Sequence, residues 1–247
     1  SEGGKTYTNE ATQVVFAMSD QSNVGASTKE PADAFSTIAF DYGDCTITGT
    51  ADITKTDGSS TGVKALKFKP AGTTKDLNWF VRPAKGLTFT PTKVQGYINR
   101  CGTNVENGVT VSAHKQNGET VALGTYTAWR QGTGSLSKPY DSKAVYMYEI
   151  TLTADQQAKL AGEDGFYLTT SVGVASGKDA AFGEVTIDGT VSGTIEAVNT
   201  YKVALASAPA EGGKVSIYPN SEEYIENDEV TLTATKNFGY KFVNWTD

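Results

Sequence analysis

Histidine is almost missing from this chain: among 247 residues there is one, His114. Methionine and cysteine occur twice each, and the arginines are Arg82, Arg100 and Arg130 alone. With a single imidazole, a metal site would have to be built from carboxylates, and no zinc-type His-x-x-x-His spacing exists. A phosphate-cradling glycine loop and a dinucleotide fingerprint are also lacking, which removes two of the commonest readable motifs. No apolar run approaches the length needed to cross a bilayer as a helix. Basic charge is scarce as well: 21 Lys and Arg stand against 28 Asp and Glu, a net charge of −7, with no basic stripe. A polyphosphate partner such as nucleic acid is therefore disfavoured. Cys45 and Cys101 allow one disulfide in an oxidising compartment or two buried thiols.

What the chain does have is 38% apolar residues, of which the 10% aromatics can seed a core. Short alternating runs separated by turn residues dominate, and helical periodicity is nearly absent. This pattern predicts an all-β protein built as an antiparallel β-sandwich. Strands are expected near 13–17, 45–53, 64–69, 77–82, 93–100, 109–115, 120–126, 145–152, 166–172 and 184–191. Asn117-Gly118, set between two alternating runs in "HKQNGETVAL", predicts a hairpin. One short helix is expected at "TADQQAKLAG", where Thr153 and Gln156 form a capping box and Gly162 suits the stop. The segments 19–34 and 131–143 have loop composition.

Near 192–200 the clean strand "GEVTIDGTVSGT" dissolves into small polar residues, and alternation restarts at Tyr201. We expect a sandwich over 1–194, a linker over 195–200 and a second module over 201–247. Four strand-like pieces make up that module: "YKVALAS", "GGKVSIYP", "DEVTLTAT" and "GYKFVNW". The Gly212-Gly213 turn, Val215, Pro219, Tyr224, the 230–234 strand and Tyr240, Phe242 and Trp245 make it resemble the divergent internalin-type B-repeat of bacterial surface and secreted proteins. That resemblance implies that the three late aromatics pack a small core, with Trp245 as a ligand-stacking residue the sharper alternative. The family's repeat continues for a further strand pair, so the expectation is a part of a longer polypeptide.

The first module resembles the N-terminal accessory domain of Bacteroidetes pectate lyases and related pectin-degrading enzymes. The segments that carry this are "RPAKGLTFTPTKV", "NRCGTN", "GVTVSAHKQNGETVAL" and "AFGEVTIDGTVSGT". The resemblance implies a secreted, cell-surface or periplasmic location and a plant cell-wall polysaccharide partner. It also implies a covalently linked catalytic module beyond residue 247. No residue role comes with it, and the chain itself is expected not to be an enzyme.

A glycan site on a sandwich needs aromatic faces, polar side chains and, for uronates, arginine forks. In "LNWFVRP", Leu77, Trp79 and Val81 share a core face and leave Asn78, Phe80 and Arg82 outside. In "KVQGYINR", Gln95, Tyr97 and Asn99 share a side, and Arg100 ends the strand. Were these two strands paired, Phe80, Tyr97, Asn78 and Asn99 would form one exposed surface. Trp129 and Arg130 make a second candidate, as an exposed platform or as a plug closing the sandwich, and Tyr140 beside Pro139 is a third. Tyr146 and Tyr148 fall on the core side with Ile150 and Leu152. His114 points outward with Thr110 and Ser112. No cofactor is expected beyond a structural calcium ion, for which Asp41 and Asp44, or Asp52 and Asp57, could supply oxygens, with ordinary turn chemistry as the alternative. Pectin or a neutral glycan is the expected ligand; a purely structural spacer, and a lyase or hydrolase with an unrecognised carboxylate pair, are the competing readings. The net charge repels polygalacturonate at long range, although salt confines this to about 10 Å at 0.1 M.

Overall fold

The computed structural model describes residues 4–54, 60–72, 74–99, 105–126, 145–174 and 177–247. In chain order the first strands are β1 (Thr6–Phe16), β2 (Ser27–Glu30), β3 (Phe35–Asp41), β4 (Thr46–Thr54) and β5 (Ser60–Lys69). They are followed by β6 (Thr74–Pro83), β7 (Leu87–Asn99), β8 (Val105–Lys115), β9 (Thr120–Tyr126) and β10 (Val145–Thr151). Helix α1 (Ala154–Leu160) then leads to β11 (Phe166–Val174) and the long β12 (Ala180–Thr194). Four short strands complete the chain: β13 (Thr200–Tyr201), β14 (Gly213–Tyr218), β15 (Tyr224–Ile225) and β16 (Thr231–Lys236).

The fold is an all-β antiparallel sandwich. One sheet runs β10-β7-β12-β1-β2, with the β4–β5 hairpin joined to β12 through β5; the other runs β3-β6-β11-β8-β9. Alternation sets the core between them: Leu77, Trp79 and Val81 from β6 meet Phe68, Phe89, Val94, Ile98 and Ile187 from the facing sheet. Rings knit the layers, with Phe40 5.7 Å from Phe68 and Phe35 5.2 Å from Phe89, while Phe40 stacks 5.2 Å from its strand neighbour Trp79. Tyr148, Ile150 and Leu152 are buried, as their spacing predicts. Gly96 lies under the Tyr148 ring, where any Cβ would collide with it.

The hairpin at Asn117-Gly118 is present between β8 and β9, with Gly118 at φ +87°. Its N–H donates to Lys115 O at 3.0 Å and Lys115 N–H to Glu119 O at 2.9 Å, a three-residue loop closed by a left-handed glycine. Helix α1 has both hydrogen bonds of the Thr153–Gln156 capping box. Its exit differs from expectation: Ala161 turns extended and Gly162 instead pairs with Phe89 across the end of the sandwich. Two strands lie where loop composition or nothing was expected, β2 within 19–34 and β3 just after it. Cys45 is buried, and Cys101 lies outside the described residues.

Beyond β12, β13 pairs with β15 and β14 with β16. The fourth expected strand, at 239–245, has no strand ladder, and the first survives only as its opening residues. The expected packing role of its aromatics is also corrected: Tyr240, Phe242 and Trp245 are 39%, 51% and 42% exposed. The two-stranded β14–β16 ribbon offers one layer to lie against, and among the described residues nothing covers their other side.

Candidate functional site

The surface expected from Asn78, Phe80, Tyr97 and Asn99 does not form. Strands β6 and β7 belong to opposite sheets, so Asn78 and Phe80 face away from one side of the sandwich and Tyr97 from the other. Asn99 is placed by its backbone alone, opposite Val145 and Ala181. Phe80 is corrected further: it is fully buried, although it lies outside the core between the sheets. Arg100, Trp129, Arg130, Tyr140 and Asp57 lie outside the described residues.

What buries Phe80 is a junction between the outer face of the five-stranded sheet and the second module. The Phe80 ring lies 4.7 Å from Tyr167, and Tyr167 stacks on Tyr218 of β14 at 5.6 Å and 30°. Thr37 and Ala39, beside Arg82 and Phe80 in the β3–β6 register, are buried with them. Arg82 points the same way, with its guanidinium 5.8 Å from the Phe80 ring centre. Its Nη2 donates to Asp228 Oδ1 at 2.7 Å and to Thr37 Oγ1 at 2.9 Å. The Asp228 side chain is 6% exposed and that of Arg82 16%, so this is a desolvated ion pair. The second carboxylate oxygen of Asp228 accepts from Ile225 N–H at 2.9 Å, inside a turn where Asn227 adopts φ +68°. Burial pushes the Tyr167 and Tyr218 phenols up from their ordinary value; for Tyr218 the negative charge of Asp41 adds to it. Asn78 is engaged too, accepting from Thr169 Oγ1 at 2.7 Å.

Beside the junction runs a cleft of about 500 Å³. Arg82 and Lys85 line it together with Glu163, Asp164, Glu226 and Asp228. Both cations are committed, Arg82 to Asp228 and Lys85 to Glu196 at 3.5 Å. The cleft therefore presents net negative charge, which is unfavourable to a carboxylated sugar.

The other side of the sandwich is different. Across the seven-stranded sheet, Tyr97 stands half-exposed over Ala51, Ala65 and Ala181. Below it, Gln95 is flanked in register by Glu149 and Thr186, and Lys93 by Thr151 and Asp188. Asp188 takes Gln13 Nε2 at 2.9 Å and Lys93 Nζ at 3.7 Å. This is one ring amid amides, hydroxyls and carboxylates, opposite a register shift of β12 between Phe182 and Val185.

His114 faces outward as expected, held by Ser112 at 3.0 Å and Thr120 at 2.9 Å. Asp41 accepts from Gly43 N–H at 2.7 Å, as in an ordinary turn, and Asp52 lies 4.0 Å from Lys64. Among the described residues, no three His, Cys, Asp or Glu side chains gather as metal ligands would, and no helix is long and apolar enough to cross a membrane.

The geometry thus defines a β-sandwich docked onto a small two-ribbon module. Residues 201–247 of that module match the family model of the divergent InlB B-repeat domain. No curated protein matches the sequence. Among solved structures, the K2 cleaved adhesin domain of Lys-gingipain is 12% identical, covering 58% of this chain and 89% of its own, with a TM-score of 0.32. The CBM22-1 xylan-binding domain from Paenibacillus barcinonensis Xyn10C is 10% identical, covering 64% and 87%, with a TM-score of 0.27. Likeness at that level carries no argument about ligand.

Proposed function

We propose that this chain is a non-catalytic, carbohydrate-binding accessory region of a secreted or cell-surface protein that degrades plant polysaccharide of the pectin type. The sandwich holds a glycan, and the repeat sets it at a fixed distance from a linked catalytic module, whose local substrate concentration rises as a result. The observation that carries this reading is the outer face of the seven-stranded sheet, where the half-exposed Tyr97 offers a ring and the Thr186 hydroxyl and the Lys93–Asp188 pair stand on the same face. Glu149 and Asp188 make that face better suited to a neutral or esterified sugar chain than to polygalacturonate. The resemblance of the first module to pectin-enzyme accessory domains points the same way.

Calorimetry of the whole chain against xylan, glucan, methylated pectin and polygalacturonate tests it. Binding to a neutral or esterified chain is expected, and Tyr97→Ala should weaken it about 5-fold, the share of one ring contact of about 1 kcal/mol. Undiminished binding in Tyr97→Ala would move the site toward Trp129 and Arg130, which the same assay on Trp129→Ala reads. A spacer without glycan binding is the second reading. It is favoured by one specific fact, the use of Phe80 and Arg82 to fasten the two modules, and binding to none of the four glycans would establish it. New reducing ends or unsaturated products from any of them would overturn the non-catalytic assignment.

A further inference from the structure

The second module carries a groove of about 350 Å³ between the 206–209 segment, the β14–β16 ribbon and the 240–246 segment. Its walls include the half-exposed Tyr240, Phe242 and Trp245 and the exposed Lys236 and Lys241, with Lys236 on the Val215–Ala234 face of the ribbon. Among the described residues no carboxylate side chain lines it. That is unusual in a protein with a net charge of −7. Arg82, Lys85 and Lys93 are each tied to a carboxylate, whereas no ion pair among the described residues engages Lys236 or Lys241.

We propose that this groove is a second binding site, for an acidic oligosaccharide of the uronate class. It extends the glycan-binding reading to a separate surface and rests on that reading only for its biological sense. Phe242 and Trp245 stand 5.5 Å apart with their planes 59° to one another, so they present faces in two directions along the groove. Sugar rings have apolar C–H faces that lie against such rings, and each uronate adds one carboxylate within reach of a lysine. Opposite charge supplies the selectivity over neutral sugars. A polyphosphate fits less well, because its dense charge meets a protein that is acidic elsewhere. A membrane surface fits less well because these rings line a concavity rather than stand proud of it. The site complements the sheet face around Tyr97: one takes neutral stretches of a chain, the other charged ones.

The test is titration calorimetry of the whole chain with an oligogalacturonate and with a xylo-oligosaccharide of equal length. Parallel arms use phosphatidylserine vesicles and a single-stranded oligonucleotide. Oligogalacturonate is expected to bind with an affinity that falls as salt rises. Trp245→Ala should weaken it at least tenfold, and the double change Lys236→Gln and Lys241→Gln should do the same while removing the salt dependence. Tyr97→Ala should leave it unchanged. These side chains are exposed, and melting curves matching the parent confirm that each variant folds. Equal affinity for the neutral oligomer, indifference to both groove variants, or binding to vesicles or oligonucleotide in place of the uronate would each overturn the proposal. Xylo-oligosaccharide binding weakened about 5-fold by Tyr97→Ala, with no uronate binding, overturns the groove and leaves the sheet site standing. Binding of no glycan at all overturns both.

Discussion

Arg82 shows how a residue chosen for the right chemistry can serve a different end. Its pattern in "LNWFVRP" places it outside the core, and outside the core is where it sits. Yet its guanidinium is spent on Asp228, Thr37 and Ser36 rather than on a ligand. Removing one member of such a desolvated pair strands the other charge, at a cost of about 3–5 kcal/mol. Arg82→Ala and Asp228→Ala are each expected to lower the unfolding free energy by that order in urea titrations. The double change Arg82→Met with Asp228→Leu should recover most of the loss, because an apolar contact replaces the pair without a buried charge. A loss in the double variant equal to the sum of the singles would mean that the pair is not coupled. Gly96 sets a similar constraint: Gly96→Ala forces the Tyr148 ring from its place, so destabilisation of at least 1 kcal/mol is expected.

At the scale of elements, the parts legible in the sequence were those whose signal is local. Strand β9 falls where its alternation puts it, and the 117–118 hairpin and the Thr153 cap follow from short-range hydrogen bonding. Thr153→Ala should cost about 1 kcal/mol by removing the side-chain acceptor for Gln156 N–H, read as a lowered melting temperature. Strand β3 escaped because both of its faces are covered: Phe40 packs inward on Trp79 while Thr37 and Ala39 sit beneath the second module. A strand buried on two sides has no polar face to mark its period, and its serine and threonines blur the apolar one. The pairing of β6 with β3 and β11, instead of with its sequence neighbour β7, is a decision of tertiary packing that no local pattern records. The candidate site built on β6 and β7 failed for that reason, and because the second module buries Phe80. Lys236 and Lys241 were missed for a related one, since only the β14–β16 ladder and the 240–246 segment beside it bring them to one groove with residues 206–209.

The whole molecule behaves as more than two modules on a string if the junction is closed, and its closure depends on phenols staying neutral. Burial raises Tyr167 and Tyr218 above the ordinary phenol value of about 10. A folded-state pKa raised above the unfolded one means that the unfolded chain gives up its protons first as pH climbs. The stabilisation from these two rings is therefore complete below about pH 10 and is lost progressively above it. Opening is expected to begin at the junction, because the sandwich core holds no comparable pair of stacked, half-buried phenols among the described residues. At pH 7 the chain should melt in one transition that splits into two in Arg82→Ala, as the repeat is released from the sheet. Between about pH 10 and 12 the parent should split in the same way, with phenolate absorbance rising in step with the early transition. Tyr218→Phe, which keeps the ring and removes the ionisable group, should hold the single transition to higher pH. Splitting at the same pH in Tyr218→Phe would show that the alkaline lability arises elsewhere and that Tyr218 is a spectator at the junction.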